Sequence, residues 1–156
     1  MFRRNESPGR IGGMKLQALE AGIYLRHVRT RLPFRYGKAE VLGQPYLHLR
    51  LRCGPDLTGV SAAALPPLWF DKRAGRTHED DIRDLRRSVA IAAEVYQAAP
   101  ADTVFGLHGR CEREARARAT AEGQNELTAG FGVALLDAAL IDAACRRSGR
   151  TFHQGL

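Results

Sequence analysis

Tyr46-Leu47-His48-Leu49-Arg50-Leu51-Arg52 is the stretch whose reading decides the fold of this 156-residue chain. Leucines occupy every second position, and His48, Arg50 and Arg52 occupy the others, which is the period of a strand with one buried and one wet face. Just downstream, Gly54-Pro55-Asp56 supplies a turn, and Leu57 to Ser61 returns as a short third strand. Upstream, the chain is strand-like from Lys15, with apolar positions at Leu16, Ala18, Ala21, Ile23 and Leu25. The alternation slips by one around Glu20–Gly22, which predicts an irregularity there. Arg31-Leu-Pro-Phe-Arg-Tyr-Gly37 reads as the loop joining the first two strands. The expected unit is a three-stranded antiparallel β-meander.

Beyond Pro66-Pro67 the period changes to that of helices. Thr77 is a candidate N-cap, and Glu79, Asp80 and Asp81 put negative charge in the first turn, where the helix dipole favours it. Ile82, Leu85, Val89, Ala92 and Tyr96 recur at steps of three and four and draw one apolar stripe. Pro100 ends this helix. A second is predicted from about Gly109 to Ala121, with Ala115 and Ala119 inward and Arg110, Arg113, Glu114 and Arg118 solvated. The third begins near Gly130 and is apolar nearly all round through Cys145, so it should be the most buried. Arg146 and Arg147 suit its C-terminus, and Gly149 suits a left-handed stop. Strands first and a bundle of about three helices afterwards make the expected class α+β.

Composition narrows the function classes. A hydrophobic fraction of 44% and a charged fraction of 26% are those of an ordinary globular domain. Residues 1–13 are polar and glycine-rich and read as a disordered leader, with Met14 as a possible true start. Cys53, Cys111 and Cys145 are odd in number and far apart, which fits free thiols in a reducing compartment. Phe2-Arg3-Arg4 is followed by no apolar export segment, and Gly130–Cys145 is interrupted by Asp137 and Asp142 and is too short to span a bilayer. The expectation is a cytoplasmic protein with no membrane partner. The net charge of +7 comes almost entirely from arginine. The arginines run from Arg3 to Arg150 among acids, which reads as ordinary solvated surface and makes nucleic acid an unlikely partner. The alternative is a small basic module that binds nucleic acid or protein through the arginine-rich helix around Arg110 to Arg118.

No stretch carries a convincing active site. His78-Glu79-Asp80-Asp81 fans around a helix rather than converging on a metal. Asp137 and Asp142 stand roughly 140° apart on a helix of 3.6 residues per turn, so they form no carboxylate pair. In so apolar a helix they should instead make buried hydrogen bonds or ion pairs. Gly130-Phe-Gly132 lacks the third glycine and the preceding strand of a dinucleotide fingerprint. His27, His48, His108 and His153 are each solitary in sequence.

Four segments, in order, resemble the N-terminal capping domain of the enolase superfamily, in its mandelate racemase/muconate-lactonizing enzyme branch. Met14-Lys-Leu-Gln-Ala-Leu-Glu20 looks like that family's first strand, and Arg29 to Gly37 like the loop that follows it. Leu47 to Ser61 looks like its strand–turn–strand ending in Gly-x-Ser. Gly130-Phe-Gly-Val-Ala-Leu-Leu-Asp-Ala-Ala-Leu-Ile-Asp-Ala143 resembles the long helix leading into the barrel. Ala64 to Lys72 resembles a branch with a longer connection before the helices. The resemblance implies a capping domain over residues 14–150, with 151–156 as the start of a missing C-terminal barrel. In the full enzyme it implies Mg²⁺, a small carboxylate substrate and abstraction of a proton alpha to the carboxylate, in racemase, cycloisomerase or acid-sugar dehydratase chemistry. The family's metal ligands and acid–base residues belong to the barrel, so no catalytic residue is carried over and this chain alone is expected to bind no Mg²⁺. What is carried over is a lid: Leu32, Pro33, Phe34, Arg35 and Tyr36 resemble the mobile first loop, and Ser61, Leu65 and Trp69 lie in the region of the second. For Phe34, Tyr36 and Trp69 the competing role is packing of the meander onto the helices. A cap without its barrel would expose apolar surface and tend to oligomerise.

Overall fold

The leucine alternation becomes the middle strand of a three-stranded antiparallel sheet. The computed structural model describes residues 13–36 and 39–155, so the expected leader lies outside the described residues apart from Gly13. In chain order the elements are β1 (Lys15–Leu16), β2 (Glu20–Tyr36), β3 (Ala39–Arg52), β4 (Thr58–Ala64), α1 (His78–Ala98), β5 (Asp102–Thr103), α2 (Val104–Ala121), α3 (Glu126–Ser148) and α4 (Phe152–Gly155). The sheet order is β2-β3-β4, and β1 pairs separately with β5. The class is α+β, a meander with helices packed on one face.

Leu47, Leu49 and Leu51 are completely buried and meet the helices, and Gly59, Ser61 and Ala63 of β4 pair with them on the same face. Truncating any of these leucines to alanine would cost about 2–5 kcal/mol. α3 lies at the centre of the helical layer, against α1, α2, β3 and β4. Two glycines let it approach so closely. A Cβ on Gly59 would sit 1.9 Å from the Ala139 carbonyl oxygen, and one on Gly132 would sit 2.2 Å from that of Ser88. α3 is 23 residues long and passes the length and hydropathy test for a membrane span, unlike the shorter run expected from sequence. Yet 61% of its most apolar window is buried inside the protein, which is how a core helix behaves.

The helix caps follow the residues read for them, with earlier starts for two helices. Thr77 and Asp80 form a reciprocal capping box at α1, which ends at Ala98, just before Pro100. Gly149 adopts φ 64° and closes α3. α2 begins at Val104 rather than Gly109, because the Thr103 hydroxyl accepts the Gly106 amide at 3.0 Å and nucleates a turn that two glycines had obscured. α3 begins at Glu126 rather than Gly130, with Asn125 as its cap.

The start of the meander differs as well. β2 pairs with β3 without slippage from Glu20 to Arg29. The break comes earlier, where Leu16 pairs with β5 and the chain then crosses to the main sheet. The Leu19 amide donates to the Arg52 carbonyl at 2.8 Å and fixes that crossing.

Candidate substrate-capping end of the sheet

β3 runs from Ala39 toward Arg52, and β4 returns and ends at Ala64, opposite Tyr46. β2 and β3 therefore continue past the end of β4 by the length of residues 39–45, roughly 20 Å at about 3.3 Å per residue. The segment after Ala64 leaves the sheet at that same end. Topology thus places the two candidate lid regions toward the same end of the sheet.

The first region is ordered as strand where a loop was expected. β2 extends to Tyr36, and its register shifts between Arg29 and Phe34. That shift absorbs extra residues of β2, among them Pro33, which has no N–H to give a ladder. Arg35 Nε meets Glu40 at 2.7 Å across the hairpin, and the Thr30 hydroxyl donates to the Val41 carbonyl at 3.3 Å. Leu32 and Phe34 remain 71% and 60% exposed. Sequence reading missed Leu42, which is 61% exposed on the facing strand. The Val41-Leu42 pair gives no alternation from which to choose the outward residue.

The second region divides in two. The Ser61 hydroxyl donates to the Leu135 carbonyl at 2.8 Å, and Leu65 is completely buried. These two residues anchor the segment instead of being displayed by it. Its outward part is Leu68 and Trp69, each about half exposed. Leu68 holds a φ of 52°, a left-handed conformation that costs a branched residue about 1 kcal/mol or more. Its amide donates to the buried Asp81 carboxylate at 2.7 Å, which compensates for that cost. His78 Nε2 lies 2.9 Å from the Leu65 carbonyl. The sequence-read acidic turn at 78–81 therefore supports the segment as well as the helix dipole.

Behind it lies an arginine–carboxylate network. Asp71 is buried and takes Arg73 at 2.5 Å, with Arg76 Nε at 3.5 Å. Arg76 also reaches Asp84 at 2.5 Å and Asp81 at 3.6 Å. The hydrogen bond from Arg73 outweighs burial and holds the Asp71 carboxyl at about 2. The Thr77 amide, as N-cap, holds that of Asp80 at about 2. No group of three His, Cys, Asp or Glu suited to a metal occurs among the described residues. The acids of this network already face guanidinium groups, so they do not fit a divalent cation.

A second polar cluster sits elsewhere in the helical layer. Asp137 accepts from the Tyr96 hydroxyl at 2.7 Å and lies 2.7 Å from His108 Nδ1, so His108 is not solitary in space. Burial, reinforced by the Asp137 charge, pushes the Tyr96 hydroxyl pKa up. Asp142 accepts the Val60 amide at 2.8 Å and pairs with Arg146 at 2.7 Å. Both aspartates have the hydrogen bonds their apolar helix demands.

No family model and no curated protein matches this sequence. Solved structures do. A mandelate racemase/muconate lactonizing enzyme-like protein from Rubrobacter xylanophilus matches with a TM-score of 0.59 at 15% identity, over 90% of this chain and 33% of that one. A mandelate racemase/muconate lactonizing enzyme from Bordetella bronchiseptica gives 0.56 at 18% identity, over 87% and 32%. A muconate lactonizing enzyme from Pseudomonas fluorescens, complexed with muconolactone, gives 0.52 at 14%, over 85% and 31%. The fold is that of a mandelate racemase/muconate lactonizing N-terminal domain. The chain spans about a third of the length of the solved structures it matches. Within it, the β2–β3 end and the Leu68–Trp69 segment both display exposed apolar side chains.

Proposed function

We propose that this chain is the substrate-capping domain of a Mg²⁺-dependent enolase-superfamily enzyme that abstracts a proton alpha to the carboxylate of a small acid in the cytoplasm. The reading rests on exposed apolar side chains: Leu32, Phe34 and Leu42 on the β2–β3 extension, and Leu68 and Trp69 on the segment that follows β4 at the same end of the sheet. Apolar side chains held on a rigid base can close over a ligand and exclude water. Residues 14–150 form the cap, and residues 151–156 belong to the approach to a barrel. Leu32 to Tyr36 and Leu68–Trp69 act on substrate choice, while Ser61 and Leu65 keep the second segment in place. Mg²⁺ and the acid–base residues come from the barrel, because the carboxylates described here are committed to arginines and amides.

Four observations test this. Titration of the purified chain with MgCl₂ yields no saturable site, and no turnover occurs across a panel of small carboxylates. A tight Mg²⁺ site or racemase or dehydratase activity in this chain alone contradicts the proposal. The downstream nucleotide sequence, read in all frames, encodes a barrel with a Lys-x-Lys pair. Its absence also counts against the proposal. Without the barrel the apolar end is uncovered, so the chain self-associates in sedimentation experiments at micromolar concentration.

A further inference from the structure

The positive charge is unevenly placed in three dimensions. Residues 65–156 contain thirteen basic and thirteen acidic residues, whereas residues 14–64, which form the meander, contain eight basic and only three acidic ones. The sheet face turned away from the helices receives much of that excess. Strand register sets its members: Gly22 faces Arg50, Tyr24 faces His48, and Arg26 faces Tyr46. On β4, Val60 and Ala62 complete the face beside Arg50 and His48. Of the carboxylates on this face, Glu20 is already held by Arg52 at 3.0 Å and Glu40 by Arg35 at 2.7 Å. Among the described residues, Arg26 and Arg50 have no ion pair and no element packs over them. Tyr24 is 56% exposed, and its ring lies over Gly22, where a Cβ would come within 2.7 Å of the phenolic oxygen. The result is a flat checkerboard of tyrosine and cationic side chains, spaced about 7 Å apart along each strand.

We propose that this outer sheet face binds single-stranded nucleic acid. Unpaired guanidinium groups meet phosphates, and rings lying flat on a sheet accept unstacked bases, which is how sequence-tolerant single-strand sites work. A second copy of this chain would bring like charges together, and an acidic peptide would leave Tyr24 and Tyr46 without a role. The site is distinct from the proposed cap, since it uses none of the lid residues.

The test uses the full chain and a fluorescein-labelled, mixed-sequence 20-nucleotide single-stranded DNA, followed by anisotropy at 50 and 200 mM NaCl. Saturable binding is expected, weakening steeply with salt. Each of Arg26→Gln and Arg50→Gln lowers the salt slope by about 0.7. Tyr24→Leu weakens binding about tenfold without changing that slope, and the matched duplex binds more weakly than the single strand. All three positions are exposed, and circular dichroism verifies the fold of each variant. Absence of binding at 50 mM NaCl overturns the proposal, as does affinity unchanged by the arginine variants. Binding that ignores Tyr24 and takes duplex or heparin equally well also overturns it, because that is bare polyanion attraction.

Discussion

In the helical layer, Arg73, Arg76, Arg83, Arg87, Arg116 and Arg146 each meet a carboxylate. On the strands, Arg52 and Arg35 are paired, while Arg26 and Arg50 meet no carboxylate among the described residues. Apolar residues divide in the same way. Leu85, Val89, Leu107, Leu136 and Leu140 are completely buried, whereas Leu32, Phe34 and Leu42 of the hairpin lie open. The contrast separates a body, where many of these side chains meet one another, from an end and an outer face that leave apolar and cationic side chains exposed. Stability should therefore respond to substitution in the body and barely at all at the displayed end.

The largest effect is expected at the tightest point of the body. Gly132→Ala drives a methyl group into the Ser88 backbone, 2.2 Å away, and should cost about 3 kcal/mol in thermal or denaturant unfolding. Asp81→Ala should cost about 2 kcal/mol, because it strands the Leu68 amide and removes a partner of Arg76. It also frees the strained Leu68, so Trp69 emission should shift although residue 69 itself is untouched. A shift confined to unfolding midpoints, with unchanged Trp69 emission, would separate the network from the Leu68–Trp69 segment.

Acid should loosen the same link. The Asp71 carboxyl has its pKa lowered from 3.8 to about 2 in the folded protein. A lowered folded-state pKa contributes stability above about pH 4 that is lost as pH falls toward 2. Asp71→Asn should flatten this acid limb in pH-dependent unfolding, though it destabilises the protein at neutral pH. The smallest effect is expected at the tip: Phe34→Ala should change stability by less than about 0.5 kcal/mol, because its ring is 60% exposed. A larger loss would mean that Phe34 packs the meander, the role that competed with a lid.

The body was legible because its signals are periodic. Leucine alternation at 47–51, the Thr77 box and the Gly149 stop each depend on residues close in sequence, and each appears where it was read. The hairpin was harder. Tyr36 and Ala39 pair across the sheet, and a register shift around Pro33 turned an apparent loop into strand. Ser61 and Leu65 point into the core through contacts with α3 and β3 that no local pattern reveals. Gly132 was legible only as a failed fingerprint, since close helix approach leaves no trace in neighbouring residues. The support of Leu68 by Asp81 joins residues 13 apart across a change of secondary structure. Arginines scattered along the sequence concealed the charge asymmetry, because what differs between the halves is the supply of acids.

Native-state hydrogen exchange tests the division between body and displayed end most directly. Amides of residues 28–35 and 40–44 should exchange through local opening at far lower free energy than those of Leu47–Leu51 and of α3, which should open only with global unfolding. If hairpin amides are as protected as those of α3, the hairpin is part of the body and the account of a displayed cap is wrong.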